Sequence, residues 1–261
     1  MTGETPRIVT GLGKAELHRV LVCGYDLCDE LVGNITFSDM TYLLLVGRLP
    51  TPGQRRMVDA LLTILVEHGM VSSVVAARLT RFTAPEAIQG AVAAAILGSG
   101  SVHLGSSEWS AEMLVKALPR GEAAADPDAV AAAIAEDYHR RDQRIPGIGH
   151  RTHAEGDPRA MRIFQVARET EVYGRYCDLI ERLSHVASQR FGRFLPVNVT
   201  GAIAAASLDL GLSWEISKAF SLIGRCLGAV AHVAEEIRNP MAQQIEAAIK
   251  QALVYEPYRT E

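Results

Sequence analysis

Three histidines stand beside glycine residues, in segments that are typical of turns at helix ends. They are His68, His103 and His150, which lie in segments 67–69, 102–105 and 146–150. An imidazole on a tight turn can face a cleft with both ring nitrogens available to donate, accept or transfer a proton. Each histidine also has a structural interpretation, because histidines near helix ends and in loops commonly hydrogen-bond to the backbone.

The most specific pattern lies between residues 145 and 160. It reads Ile-Pro-Gly-Ile-Gly-His-Arg from residue 145 and Gly-Asp-Pro-Arg-Ala from residue 156. This pattern predicts a rigid turn, the imidazole of His150, a second turn and Arg159 at the head of the next helix. His150 and His153 could bind zinc, but no Cys-x-x-Cys or His-Glu-x-x-His motif accompanies them, so no metal is predicted.

Helices must position these residues, because apolar residues recur three and four positions apart along most of the chain. Breakers rich in glycine and proline divide the chain into roughly eight to eleven predicted helices. Thr36 and Thr51 are predicted N-terminal caps, with Pro52 at a first helical position. Segments 91–97 and 202–210 are apolar on most faces, which favours a packed bundle with an extensive dimer interface. No segment alternates with the period of a strand.

The composition indicates a globular chain that can bury a large hydrophobic core. The 261 residues are 48% hydrophobic and carry a formal net charge of -4. Such a charge provides no field that would attract nucleic acid or an anionic membrane, so local arginines must bind any anionic ligand. The four cysteines form no Cys-x-x-Cys pair, the N-terminus has no signal-peptide core, and no stretch is expected to reach a membrane span. We therefore expect a cytoplasmic protein with neither nucleic-acid nor membrane partners.

Segment 145–160 resembles the citrate synthase signature of proline, glycine, an apolar residue, glycine and histidine, followed by aspartate-proline-arginine. The resemblance extends over almost the whole chain. It includes segments 24–26, 42–51, 67–69, 91–105 and 225–228, with His232 and Glu235 after the last of them. It implies an all-α fold, a citrate synthase-like helical bundle that forms a homodimer. The large domain would comprise residues 1–120 and 226–261, and the small domain residues 121–225, with a hinge closure that expels water from the cleft.

The same resemblance implies roles for individual side chains. His103 matches the position that polarises the thioester carbonyl of an acyl-CoA, and His150 matches the one that hydrogen-bonds the carbonyl or hydroxyl oxygen of the oxaloacetate unit. His68, Arg159 and Arg225 match positions that bind the carboxylates of that unit. Fixed guanidinium donors and an imidazole within hydrogen-bond reach are groups that suit a small polycarboxylate.

Three departures from the family pattern bear on the reaction. Thr200 stands where the family has the aspartate that moves the proton of the acetyl carbon, and a hydroxyl is too weak a base to replace it unaided. Residues 104–108 read Leu-Gly-Ser-Ser-Glu instead of Gly-Gly-Ala-Asn-Glu. The chain is also shorter than a full citrate synthase and lacks its C-terminal segment. Water, or Asn198 and Thr200 together, would have to handle the carbon-bound proton.

These departures resemble the short citryl-CoA lyases, which share their fold with the C-terminal module of ATP-citrate lyase. The reaction so implied is a retro-Claisen cleavage of an acyl-CoA such as citryl-CoA to acetyl-CoA and oxaloacetate. Citrate or methylcitrate synthesis is the alternative reaction. A catalytically weak homologue that binds CoA or a polycarboxylate for regulation is the alternative from another class. No tightly bound cofactor is expected, because coenzyme A enters as a substrate thioester.

Four residues are predicted to contact the coenzyme A portion of that substrate. Arg144 and Arg151 belong to a basic run around the histidine turn, and Gly147 and Gly149 lie within the turn. The simpler interpretation of the basic run is a solvated helix face, but its position beside the expected cleft also suits contact with the CoA phosphates.

Overall fold

Eleven α-helices follow a small N-terminal β-sheet in the described part of the chain. The computed structural model describes residues 8–100, 104, 106–121, 126–150 and 152–258. The helices are α1 (Phe37–Val46), α2 (Pro52–Thr63), α3 (Ser72–Thr83), α4 (Ile88–Leu97), α5 (Ser106–Ala117), α6 (Pro127–Arg140), α7 (Pro158–Glu169), α8 (Arg175–Arg190), α9 (Val199–Asp209), α10 (Ala219–Arg238) and α11 (Ala242–Ala252). The prediction of an all-α fold is confirmed.

The helix starts that were predicted from capping residues are confirmed at α1 and α2. The Thr36 hydroxyl accepts from the Asp39 backbone N–H, and the Asp39 carboxylate accepts from the Thr36 N–H at 2.8 Å. Thr51 and Gln54 form the same reciprocal pair, and Pro52 occupies the first turn of α2. These local hydrogen bonds satisfy backbone groups that a helix start leaves unpaired, so short sequence motifs were sufficient to locate both helices.

The N-terminal sheet was not predicted. Its three antiparallel strands are β1 (Gly13–Ala15), β2 (Val20–Val22) and β3 (Tyr25–Asp26), in the order β1-β2-β3. A π-helical turn (Leu27–Leu31) follows the sheet. Strands of two or three residues are too short to produce a period-two pattern, so no pattern in the sequence indicated them.

Helix α9 is the centre of the main hydrophobic core. Nearly all of its side chains are buried, and it packs against α5, α7 and α8. Gly201 of α9 lies so close to the turn at Gly147 that a Cβ on Gly201 would be 2.5 Å from the Gly147 oxygen. A side chain on either glycine would therefore push the turn before His150 away from α9.

A second, smaller core joins α3, α4 and α10 through Ala77, Ala91, Ala95, Ala229 and Val233. The main core draws on α2 and α5 as well as on α6 to α9, so it extends across residue 121. The division into a large domain (1–120 and 226–261) and a small domain (121–225) stays a prediction.

Contrary to the sequence expectation, one helical stretch in the described residues is long and apolar enough to span a membrane by length and composition alone. It is Trp214–Arg238, and 44% of its most apolar window is buried inside the protein. Length and composition do not distinguish a membrane span from a core helix of a soluble protein, so the stretch is weak evidence for a membrane segment.

Candidate active site

Most of the predicted site residues meet in one cavity of about 200 Å³. The cavity lies where the loop after α2, the turn before α7, the starts of α3, α5, α7 and α9, and one face of α10 come together. Six side chains predicted from the sequence line it: His68, His150, Arg159, Asn198, Thr200 and Arg225. The fold thus collects two imidazoles and two guanidiniums from segments that are far apart in the chain.

The ring of His150 is oriented by its own loop. Its Nδ1 accepts from the backbone N–H groups of Thr152 at 3.1 Å and His153 at 3.0 Å. Nη2 of Arg159 also lies 3.4 Å from Nε2, but the two shorter backbone hydrogen bonds to Nδ1 decide the tautomer. A neutral imidazole with an accepting Nδ1 carries its proton on Nε2, so His150 can donate from Nε2 to a ligand. Burial lowers the pKa of His150, and His153 and Arg159 also lower it, while the Asp157 carboxylate opposes the shift without reversing it. The neutral donor form is therefore favoured at neutral pH.

The Asp157 carboxylate orients the Arg159 guanidinium. The guanidinium donates from Nε and Nη2 to the two carboxylate oxygens of Asp157, each at 3.0 Å. The same carboxylate accepts from the backbone N–H of Val199 at 2.9 Å. Burial opposes ionisation of Asp157, but these hydrogen bonds outweigh it and hold the pKa of the carboxyl below its usual value. This two-point contact fixes the plane of the guanidinium and leaves the N–H groups of Nη1 for a ligand.

Arg225 and His68 complete the cavity with a second guanidinium and a second imidazole. The Nε of Arg225 is buried and has no hydrogen-bond partner among the described residues. Burial lowers the pKa of Arg225; Glu67 raises it and the nearby Arg159 lowers it, and the net shift is downward. Burial and these two arginines also lower the pKa of His68. A buried guanidinium with an unpaired N–H is stabilised by an anion that accepts from it.

The cavity as a whole favours anions. Neither aspartate nor glutamate occurs among the described residues that line it. The N-terminal ends of α3, α5, α7 and α9 also lie at the cavity, and helix N-termini carry partial positive charge. Two guanidiniums and four helix starts around about 200 Å³ suit a small polycarboxylate better than a neutral molecule.

A chain of hydrogen bonds links the two polar residues at the start of α9. The Asn198 side-chain oxygen accepts from the backbone N–H groups of Thr200 and Gly201, each at 3.1 Å. It also accepts from the Thr200 hydroxyl at 2.7 Å, while the Asn198 amide nitrogen donates to the Gly149 oxygen at 2.8 Å. Asn198 therefore caps α9 and ties it to the histidine turn.

Two of the predicted residues, His103 and Arg151, lie outside the described residues. Gly147 and Gly149 have φ values of 83° and 81°, so both adopt a backbone conformation that favours glycine. Within the described residues, their evident role is to shape the turn that presents His150.

Arg144 does not line the main cavity. It lies in a second, more open groove of about 770 Å³, together with Trp109, Lys116, Arg141 and Pro146. The prediction that Arg144 contacts the coenzyme A portion stays a prediction.

The sequence interpretation assigned no site role to three residues that contribute to the site: Ser106, Glu67 and His232. Ser106 lines the cavity and donates to the Thr200 hydroxyl at 2.9 Å. Glu67, which precedes His68, accepts from His232 at 2.7 Å. Ser106 lies in the segment that departs from the family pattern, and that departure was the signal that could have identified it. The contact between Glu67 and His232 spans 165 residues and left no local signal.

No group of three or more potential metal ligands occurs in the portion of the chain that the structure describes. The rings of His150 and His153 are 4.7 Å apart and tilted toward each other. The backbone N–H of His153 donates to His150, so in this geometry the pair serves to orient one imidazole.

Fold and site together define an all-helical protein whose cavity is built from imidazole and guanidinium groups at helix starts. The sequence profile of the family "Citrate synthase, C-terminal domain" matches residues 51–246. The chain belongs to the citrate synthase family. It is 25% identical over 200 residues to citrate synthase 2 of Bacillus subtilis, which covers 74% of this chain and 50% of that protein. The chain spans about half the length of the curated relatives that it matches.

Two solved structures are similar over nearly the whole chain. The citryl-CoA lyase of Hydrogenobacter thermophilus superposes with a TM-score of 0.86 and 31% identity, covering 97% of this chain and 96% of that one. The ATP citrate lyase of Methanothrix soehngenii, solved in complex with citrate and coenzyme A, gives a TM-score of 0.77 at 17% identity, covering 98% of this chain and 43% of that one. The second likeness is evidence for the fold alone.

Proposed function

We propose that this protein cleaves citryl-CoA, or a closely similar acyl-CoA, to acetyl-CoA and oxaloacetate. The observation that carries the proposal is the convergence of His68, His150, Arg159 and Arg225 in one cavity whose described lining contains no carboxylate. The similarity to a citryl-CoA lyase over 97% of this chain and 96% of that lyase supports cleavage over condensation.

Binding begins with the carboxylates of the substrate. Arg159 is held rigid by Asp157, and the Nε of Arg225 has no partner among the described residues. The two guanidiniums can therefore donate to two carboxylates in fixed positions. His68 adds a third polar contact. In this arrangement the hydroxyl-bearing carbon of the substrate is held beside His150.

Cleavage then redistributes two electron pairs. The O–H pair of the substrate hydroxyl forms the carbonyl of oxaloacetate, and the pair of the breaking carbon–carbon bond passes to the thioester as an enolate. Water takes the proton of the substrate hydroxyl, and water returns a proton to the enolate carbon to give acetyl-CoA, so the protons balance. His150 donates from Nε2 to the hydroxyl oxygen as negative charge develops there, which lowers the barrier. By its resemblance, His103 would donate to the enolate oxygen.

Two other functions have support. The relatives that are citrate synthases favour condensation of acetyl-CoA with a keto acid, or the related methylcitrate synthesis. A regulatory homologue that binds CoA or a polycarboxylate with little turnover is favoured by Thr200, because no carboxylate stands at that position to move the proton of the acetyl carbon.

The test incubates the protein with citryl-CoA and measures the oxaloacetate that is released, by coupling its release to malate dehydrogenase. We expect saturable release that falls at least 100-fold in His150→Ala, because one preorganised donor to a developing oxyanion contributes about 10²–10³ in rate. His185→Ala is the matched control, since His185 is exposed on α8 and does not line the cavity. Free CoA formed from acetyl-CoA and oxaloacetate would favour the synthase. A ligand-dependent rise in Tm without turnover would favour the binding protein.

We also propose that the protein is a homodimer. Large apolar side chains are exposed on α4 and α10, including Leu97, Leu227 and Ile237. Large apolar side chains that are exposed on two helices packed against each other commonly mark a protein interface. Sedimentation equilibrium should give twice the chain mass, and a monomer at micromolar concentration would contradict the proposal.

A further inference from the structure

The imidazole of His68 is accessible both from the cavity and from the solvent. The residue lines the cavity and is also exposed. Among the described residues, no hydrogen bond engages either of its ring nitrogens. A neutral imidazole carries one N–H group and one nitrogen lone pair, so His68 can donate to a substrate carboxylate from one nitrogen and accept a proton at the other.

The second described imidazole of the cavity, His150, is not free to accept a proton in the same way. Its Nδ1 accepts from the backbone N–H groups of Thr152 and His153, so its proton lies on Nε2. With Nδ1 occupied and Nε2 protonated, the ring has no free lone pair for a substrate proton. His150 is therefore suited to donate, which is the role that the proposed cleavage assigns to it.

The remaining polar groups of the described lining are weaker bases than an imidazole. Neither aspartate nor glutamate is among them. The hydroxyls of Ser73, Ser106 and Thr200 and the amide of Asn198 take up a proton far less readily than an imidazole does, and a guanidinium has no lone pair to offer. Within the described part of the cavity, His68 is the strongest proton acceptor.

The charges around His68 keep its ring neutral until a substrate binds. Partial burial lowers the pKa of His68, and Arg225 and Arg159 lower it further. The Glu67 carboxylate raises this pKa, and His150 lowers it slightly. Substrate carboxylates bound to the two guanidiniums would offset their positive charge and leave the Glu67 carboxylate beside the ring. His68 would therefore become a better base when the substrate is in place.

We infer that His68 is the proton acceptor of the cleavage step and passes the proton of the substrate hydroxyl to the solvent. The water that takes the hydroxyl proton transfers it to the free nitrogen of His68, while the O–H pair forms the carbonyl and the carbon–carbon pair forms the thioester enolate. The exposed imidazolium then releases this proton to bulk water, and water protonates the enolate carbon, so protons and electron pairs balance. This inference rests on the proposed cleavage of an acyl-CoA.

His68→Gln separates proton transfer from substrate binding. The glutamine amide can still donate to a carboxylate, but it does not take up a proton. We expect the KM for citryl-CoA to stay within about threefold while kcat falls at least about 100-fold, because a positioned general base contributes about 10²–10⁴ in rate. His185→Gln should change neither constant, since His185 is exposed on α8 and lies outside the cavity lining.

His68→Ala provides a second readout, which a purely structural role would not produce. Removal of the exposed ring opens the cavity to a small base from the solvent, so added imidazole should restore part of kcat. The restored rate should follow the concentration of neutral imidazole and not that of imidazolium, because only the neutral form accepts a proton. Imidazole should have no effect on wild type or on His185→Gln.

Each outcome decides the inference. A higher KM with unchanged kcat in His68→Gln would show that His68 only binds carboxylates, which overturns the inference and leaves the lyase standing. Absence of rescue by imidazole in His68→Ala would also overturn it. If wild type only condenses acetyl-CoA with oxaloacetate, the same proton moves in reverse, so an equal loss of condensation in His68→Gln would support the inference and sink the lyase. A wild type that catalyses neither reaction overturns both.

Discussion

His232 donates from Nε2 to the carboxylate of Glu67 at 2.7 Å, and its Nδ1 lies 2.8 Å from Nη2 of Arg78. A guanidinium can only donate, so the Nδ1 of His232 must accept and the proton must sit on Nε2. The tautomer of His232 is thereby fixed. The Glu67 carboxylate also accepts from the backbone N–H of Gly69. Glu67 and Gly69 flank His68 in the chain, so the hydrogen bond from His232 to Glu67 helps to hold His68 at the cavity.

We expect His232→Ala to weaken substrate binding through His68. The KM for citryl-CoA should rise about tenfold while kcat changes less, because a charge-assisted hydrogen bond contributes about 1.5 kcal/mol and His68 is proposed to bind carboxylates. Steady-state kinetics checks this. His232→Gln should restore part of the affinity, because the glutamine amide offers both a donor and an acceptor. An unchanged KM with a reduced kcat would show that His232 acts in another way.

The buried ion pair between Arg78 and Glu236 should be essential for stability. Arg78 is fully buried and donates to Glu236 at 2.9 Å, and Glu236 also accepts from the first backbone N–H groups of α11. Removing one partner leaves an uncompensated buried charge, so Arg78→Met should lower the free energy of unfolding by about 3–5 kcal/mol. Urea titration measures this loss.

Arg56→Met is the matched control for Arg78→Met. The Arg56 pair with Glu169 lies at the surface, where solvent screens the attraction, so the loss should be much smaller. Equal losses in the two variants would contradict the importance assigned to the buried pair.

Gly201→Ala should displace the histidine turn. The added Cβ would lie 2.8 Å from the Gly147 Cα and 2.5 Å from its oxygen, so the turn must move by several tenths of an ångström. We expect a loss of about 1–3 kcal/mol in stability and a lower kcat, because His150 moves with the turn. Gly90→Ala on α4 is the control, since its Cβ would meet only ordinary contacts. Unchanged kcat in Gly201→Ala would contradict the close approach.

Acidification should destabilise the unliganded protein through two histidines. The pKa values of His68 and His150 are both lowered, mainly by burial and to a smaller extent by neighbouring cationic groups. The unfolded chain then binds more protons than the folded chain as the pH falls through about 6.5, so the free energy of unfolding decreases. Urea titrations at pH 7.5 and pH 5.5 should differ less in a His68→Gln, His150→Gln double variant than in wild type. An identical difference in both proteins would exclude these histidines as the cause.

Local signals in the sequence predicted much of the site. Thr36 and Thr51 were located as helix caps because their partners lie three residues away. His150 and Arg159 share one patterned segment, so their proximity followed from a turn and a helix start. The resemblance added His68 and Arg225, and the structure brings both into the same cavity.

Contacts between distant segments were not predictable in this way. Ser106 and Thr200 are 94 residues apart, and Glu67 and His232 are 165 apart, so no spacing rule relates them. Asp157 was read as part of a motif, but its second role, accepting from the backbone N–H of Val199, depends on how α7 packs against α9. Such contacts are consequences of packing, which one sequence does not specify.

Cleavage of the carbon–carbon bond is tested most directly by following the fate of every product from citryl-CoA. Mass spectrometry of a reaction with purified protein should detect acetyl-CoA and oxaloacetate in a one-to-one ratio, with no free CoA beyond that of a protein-free control. Formation of citrate and free CoA would mean that the thioester is hydrolysed instead. Unchanged citryl-CoA would contradict the proposed reaction altogether.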